Sequence, residues 1–226
     1  MSDKYPHFCN EVSKIGYNII FSDTIKVFHI PEQKHPDMQL LPIQNNLFML
    51  NECIGLKEKL STLNKIVVCC DKAAGKYYPE NISLNCLYLN NTLYGKISKV
   101  DKTVLDYCNK NHIRTVNVNQ GYTRCSTLVI NQKAVITADK SIEKALKKDG
   151  VEVLLVFPGN IVLDGFNYGF IGGAGAQIDN TTIFFGNIEK HPEYLRIKRF
   201  CLKNNSDIKI LCPNMPLTDI GGIIII

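Results

Sequence analysis

The chain has no apolar run approaching the roughly 20 residues that a membrane-spanning helix requires, which excludes an integral membrane protein and a membrane partner. Met1-Ser2-Asp3-Lys4-Tyr5-Pro6 lacks a basic segment followed by an apolar one, so no secretory leader is expected. None of the nine cysteines forms a Cys-x-x-Cys pair. An odd cysteine count without a leader points to reduced thiols in the cytoplasm. His29 and His35 flank Pro31 with no second ligand pair beside them, and are read as loop residues. A zinc site is not expected, and no motif suggests a metal or an organic cofactor.

A strong charge of one sign is also missing. Lys and Arg number 26 against 21 Asp and Glu, giving a formal +5 spread along the chain. The densest basic group, Arg196, Lys198, Arg199 and Lys203, has the spacing of the wet face of a helix, with Leu195, Ile197 and Phe200 partly on the other side. No aromatic residues interleave with it as a base-stacking platform would need, so no nucleic-acid partner is expected. With 45% apolar and 21% charged residues, the chain can bury a substantial core.

What the sequence does contain is a repeat. Four stretches, 41–48, 87–94, 128–135 and 176–183, each join two short apolar strands through a polar pair rich in Asn, Gln or Asp. Such pairs tolerate left-handed backbone, so each stretch is expected to be a β-hairpin. An amphipathic segment follows each one, at about 54–63, 102–111, 141–149 and 192–203. In the third, Ile142, Ala145 and Leu146 recur at helical spacing. Ser141 or Asp139 can cap it and Gly150 can stop it. A short apolar strand comes next, at 65–69, 114–118, 151–157 and 208–211. The unit is hairpin, helix, strand, repeating every 40 to 50 residues or so. Residues 16–21 and 25–28, with 220–226 at the other end, are expected as further strands. They would close a fifth unit and protect the sheet edges, covering the final isoleucines. The fold class expected is α/β: about five ββαβ units in a cyclic α/β propeller around a central cleft, one domain over residues 1–226. The alternative is a layered α/β domain with chance likeness between hairpins.

A cyclic array of such units resembles the pentein fold of the guanidino-group-modifying enzymes. Three segments are similar to an uncharacterised bacterial family of that fold: Gln120-Gly121-Tyr122-Thr123-Arg124-Cys125-Ser126, Tyr168-Gly169-Phe170-Ile171-Gly172-Gly173-Ala174, and Pro216-Leu217-Thr218-Asp219-Ile220-Gly221. The resemblance implies a Cys-dependent hydrolase or amidinotransferase acting on a guanidine or amidine compound. Its characterised members place a nucleophilic Cys late in the chain after a Gly-rich segment. Here Gly221 and Gly222 lead only into isoleucine.

In a ring of repeats, equivalent positions gather at the axis. Counting back from the turns relates Leu84, Cys125, Gly173 and roughly Asp219, which would bring Cys125 and Asp219 together. Cys125 is the candidate nucleophile, and its neighbour Arg124 is expected to favour the thiolate. Guanidine chemistry also needs an acid–base group, for which His191 is the candidate. It needs carboxylates that pair with a planar cation, for which Asp219 and Asp164 are the candidates. Gly172 and Gly173 permit close backbone approach near the axis. The run 169–175 leads to a hairpin rather than opening a helix, which argues against phosphate binding. Tyr122 and Tyr168 could line the cleft, with Tyr122 stacked on a flat cation. The rival reading is a non-catalytic ring that binds a small ligand or a protein.

Overall fold

Each of the four repeats builds one three-stranded sheet in the computed structural model, which describes residues 1–63 and 65–226. Two helices precede them, α1 (Pro6–Lys14) and the single turn α2 (Pro36–Gln39). The first unit is β1 (Leu40–Ile43), β2 (Asn46–Met49), α3 (Ile54–Leu60) and β3 (Ile66–Cys69). The second is β4 (Leu87–Leu89), β5 (Thr92–Gly95), α4 (Lys102–Lys110) and β6 (Arg114–Asn117). The third is β7 (Thr127–Asn131), β8 (Ala134–Thr137), α5 (Lys140–Lys148) and β9 (Glu152–Leu155). The fourth is β10 (Gly175–Ile178), β11 (Thr181–Asn187), α6 (Tyr194–Lys203) and β12 (Asp207–Pro216). In every unit the first two strands pair antiparallel and the last runs parallel to the second, as a helix crossover requires.

Local chemistry sets these elements. Gln44, Asn90, Asn91 and Asp179 turn three of the hairpins with φ of 53°, 50°, 54° and 50°. The remaining turn is held by Asn131, whose Oδ1 accepts from the Lys133 amide at 2.8 Å. Each helix buries one pair spaced i, i+4: Leu56 and Leu60, Val104 and Cys108, Ile142 and Leu146, Ile197 and Cys201. Asp139, not Ser141, caps α5 by accepting from the amides of Ser141 and Ile142. Arg196, Lys198 and Arg199 lie in solvent on α6, where Lys203 reaches Glu152 of β9. No helix among the described residues is long and apolar enough to cross a membrane.

The chain ends do not form the expected strands. Residues 16–21, 25–28 and 220–226 carry no strand. Their backbones bond singly instead. The Met1 amino group donates to the Ile20 carbonyl at 2.9 Å, and the amides of Ile220 and Gly222 share the Gly173 carbonyl. A carbonyl shared by two amides of one segment cannot continue a ladder, in which each residue has its own partner. The ends nevertheless meet: Met1, Ile20 and Ile223 to Ile226 line one cavity of about 140 Å³. Ile225 and Ile226 remain 50% and 41% exposed, against the expectation that the final isoleucines are covered.

Candidate functional site

Cys125 sits two residues before β7, in a turn where the Ser126 amide bonds the Tyr122 carbonyl and the Thr127 amide bonds the Arg124 carbonyl. Asn85, two residues before β4, holds this turn from across the molecule. Its Oδ1 accepts from the amides of Arg124 and Cys125 at 2.9 and 3.1 Å, and its Nδ2 donates to Cys125 Sγ at 2.8 Å. The Cys125 thiol donates in turn to Asp37 Oδ2 at 2.8 Å. Asp37 stands on α2, three residues before β1.

Asp219 joins the same cluster from the far end of the chain. Its Oδ2 accepts from the Phe170 amide at 2.8 Å and its Oδ1 from the Gly221 amide at 2.9 Å. His35 Nδ1 lies 3.9 Å from Asp219 Oδ1, with both side chains buried. Gly173 links the two expected partners: its amide donates to the Cys125 carbonyl at 3.1 Å, and its carbonyl accepts from Ile220. A Cβ at Gly173 would sit 1.9 Å from Asp219 Oδ1, and one at Gly172 would lie 2.4 to 2.6 Å from the carbonyls of Thr127, Arg124 and Cys125. Close backbone approach at these glycines is therefore a property of the fold. Glu32 completes the cluster. It is buried, and the Tyr122 hydroxyl, which also accepts from Asn81 Nδ2 at 2.7 Å, faces it.

The electrostatics are those of crowded acids in a dry place. Burial, with the Asp219 charge adding to it, pushes Asp37 up to about 8, against an opposing pull from the Cys125 thiol and Arg124. Burial, eased by the Tyr122 hydroxyl, pushes Glu32 up to about 7. Burial drives the Cys125 thiol well above its ordinary value, and Asp37 and Asp219 add to that. The expectation of a thiolate favoured by Arg124 is thus reversed. The Arg124 guanidinium donates to the Thr127 carbonyl at 3.0 Å, and what acts on the sulfur is burial and the two acids. Burial also lowers His35, so its ring is neutral. Glu32 Oε2, His35 Nε2, Asp37 Oδ1 and the Asn81 side-chain oxygen are all buried without a hydrogen-bond partner.

The remaining sequence candidates fall elsewhere. His191 is not hydrogen-bonded to Cys125 or Asp219. It lines a separate cavity with Tyr168, Gly169, Phe170 and Ser126. Asp164 is exposed on a loop beside an open hollow that also takes in Phe166 and Lys190. The Tyr122 ring is engaged by aromatic neighbours, stacked on Tyr78 at 5.8 Å and 5.6 Å from Phe170, rather than presenting a free face. Glu32, His35, Asp37 and Asn85 are not among the sequence candidates; His35 lies in a loop, as expected, and is buried there in the cluster. The repeat held a signal for one of them, Asn85. Aligning the hairpin stretches 87–94 and 128–135 relates Cys125 to Leu84, whereas counting two residues back from the strand start lands on Asn85. The same count applied to the first unit reaches Met38, one residue past Asp37.

The sheets give the class of fold: the chain has the pentein fold, shared with solved amidinotransferases. Over residues 1–224 it belongs to a family described as Family of unknown function (DUF6873). No curated protein sequence matches it. An inosamine-phosphate amidinotransferase from Streptomyces griseus shares the fold with TM-score 0.56 at 10% identity, over 95% of this chain and 75% of that one. An amidinotransferase of the saxitoxin biosynthetic pathway from Microseira wollei gives 0.55 at 10% identity, over 92% and 76%. DDAH from Pseudomonas aeruginosa, solved with citrulline, gives 0.48 at 10% identity, over 80% and 71%.

Proposed function

We propose that this chain is a cysteine-dependent hydrolase or amidinotransferase of a guanidine or amidine compound, with Cys125 as nucleophile. The observation that carries the reading is Cys125 Sγ at 2.8 Å from both Asp37 Oδ2 and Asn85 Nδ2, inside a buried group of three carboxyls. The cyclic arrangement belongs to the same reading, with the four units and the meeting chain ends surrounding this cluster. Nine free cysteines support a reducing, cytoplasmic setting.

A planar cation suits the cluster. Glu32, Asp37 and Asp219 supply acceptors for guanidinium N–H groups, and an arriving positive charge favours ionised carboxyls and a thiolate. As the cation docks, Asp37 releases its own proton to solvent; the Cys125 proton then passes to Asp37 Oδ2 as the sulfur attacks the central carbon, giving a tetrahedral adduct. Collapse breaks one C–N bond, and the departing amine takes the proton held by Asp37. His35, beside Asp219, is the group that takes a proton from the second nucleophile. Water as that nucleophile forms a C–O bond as the C–S bond to Cys125 breaks, which releases a ureido product, and the sulfur regains its proton from His35. An amine releases a transferred amidine.

The test is release of ureido or amidino product from a panel of guanidines, with and without an amine acceptor. Cys125→Ala is expected to abolish release. Undiminished release in that variant clears Cys125 of the role. One observation favours the rival reading of a ring that binds without turnover: Cys125 is only 3% exposed. Saturable guanidine binding with no product in any arm would select it.

A further inference from the structure

The cavity that holds His191 is lined by Gln120, Ser126, Ala138, Asp139, the segment 156–159, Ile161, the segment 168–171 and His191, and has a volume of about 120 Å³. Most of this lining is apolar, and two of its residues carry a buried polar atom without a partner: Ser126 Oγ and His191 Nε2. Their residues are 2% and 4% exposed. Orphaned polar groups at such depth are uncommon and costly unless something meets them.

The chemistry of each group is set by its neighbours. The Glu193 amide donates to His191 Nδ1 at 3.2 Å, so that nitrogen carries the lone pair and Nε2 carries the proton. Burial lowers His191 from its ordinary value, so the ring is neutral at neutral pH. The Gly159 carbonyl, close to the ring, works the other way. His191 therefore offers one N–H donor. Ser126 offers a hydroxyl, its backbone carbonyl being taken by Thr137 Oγ1 at 2.8 Å. Asp139 is the one charged residue of the wall, and its Oδ1 is occupied by the cap of α5 and the Ser141 hydroxyl. An anionic ligand finds no counter-charge here. An oxygen acceptor on an apolar body finds donors and an apolar wall.

We propose that this cavity binds a small uncharged carbonyl compound, with the carbonyl oxygen accepting from His191 Nε2 and the Ser126 hydroxyl and an apolar body against Val156, Ile161 and Ile171. The volume suits a ring of about five or six heavy atoms, since an apolar cavity of about 150 Å³ holds benzene. The site stands apart from the guanidine reading, because it uses neither Cys125 nor the carboxyl cluster. The two share a wall all the same: Ser126 follows Cys125, and Gly169 and Phe170 line this cavity while packing on Asp219.

Cyclopentanone is the probe, with cyclopentene as its counterpart lacking the oxygen. Both are titrated into the full chain while the ring resonances of His191 are followed by NMR. Cyclopentanone is expected to shift them saturably, and cyclopentene to bind about tenfold more weakly or not at all, the loss of roughly one hydrogen bond to a buried donor. His191→Leu is expected to weaken cyclopentanone by a similar factor. His191→Gln, which returns an N–H donor near the place of Nε2, is expected to restore most of it, with urea unfolding checking that both variants are folded. Absence of a saturable shift overturns the site. So does equal affinity for the two probes, or undiminished binding in folded His191→Leu.

Discussion

Asp37 Oδ2 accepts a hydrogen bond from Cys125 Sγ at 2.8 Å, although 88 residues of chain separate the two. One belongs to a single helical turn before the first hairpin, the other to a turn before the third. Each stands just ahead of its hairpin, Asp37 three residues before β1 and Cys125 two residues before β7. The contact sets the resting state, a neutral thiol beside a carboxyl that holds its proton.

That state governs alkylation. In the free protein near pH 8, Cys125 is expected to react far more slowly than the half-buried Cys69, by about two orders of magnitude, because burial and Asp37 both disfavour its thiolate. Guanidinium ion, at concentrations too low to unfold the chain, is expected to narrow the gap. Mapping of iodoacetamide adducts by peptide mass reads both. Alkylation of Cys125 ahead of Cys69 without any cation contradicts the assignment of a protonated thiol.

The carboxyl gives a pH signature. Asp37 is raised to about 8 in the folded chain, so from roughly pH 4 to 8 the unfolded chain gives up a proton that the folded chain keeps, and stability falls as pH rises. Glu32, at about 7, contributes with the same sign up to its own value. Asp37→Asn cannot ionise. Its stability relative to the parent is expected to improve on going from pH 4.5 to 8, by an amount on the order of a few kcal/mol. Urea unfolding of both proteins at several pH values measures this. A difference independent of pH refutes it. His35, lowered by burial, is common to both proteins and drops out of the comparison.

Asn85 is expected to be structural and positional at once. Asn85→Ala removes the acceptor of two amides and the donor to Cys125 Sγ, leaving buried groups unpaired at a loss of about 2–4 kcal/mol. Asn85→Asp keeps the acceptor for the amides but replaces the N–H with a further acid. It is expected to recover part of the stability while slowing Cys125 alkylation below the parent's rate. Faster alkylation in a folded Asn85→Asp would show that Asn85 does not act on the thiol.

Gly172 is expected to tolerate no side chain. A Cβ there meets three carbonyl oxygens at 2.4 to 2.6 Å, all backbone, none of which can swing aside. Gly172→Ala should lose about 3 kcal/mol or more, or fail to fold. Gly55→Ala is the comparison, since its Cβ would meet only the Asp23 side chain, at 3.1 Å or more. Equal urea midpoints for the two variants would mean the close approach is not rigid.

The repeat was legible because each of its parts is local. A polar pair that accepts left-handed backbone, apolar residues at i and i+4 and a short apolar strand are decided within a few residues of one another, and they recur four times. Cys125 and Asp219 could be paired from that repeat alone. Glu32, His35 and Asp37 could not, because they lie in an irregular segment, residues 24–35, and in one helical turn, where no periodicity marks a buried face. Nor could the thiol's protonation be foreseen. Arg124 is adjacent in the chain, but its guanidinium bonds the Thr127 carbonyl, and the acids that raise the thiol arrive from residues 37 and 219. The final isoleucines have the composition of a strand and form none, since strand formation needs a free edge in register and the carbonyl of Gly173 offers only a single anchor. Short-range preferences write themselves into the order of residues. Burial, charge proximity and strand partners depend on which distant segments the packed chain sets side by side.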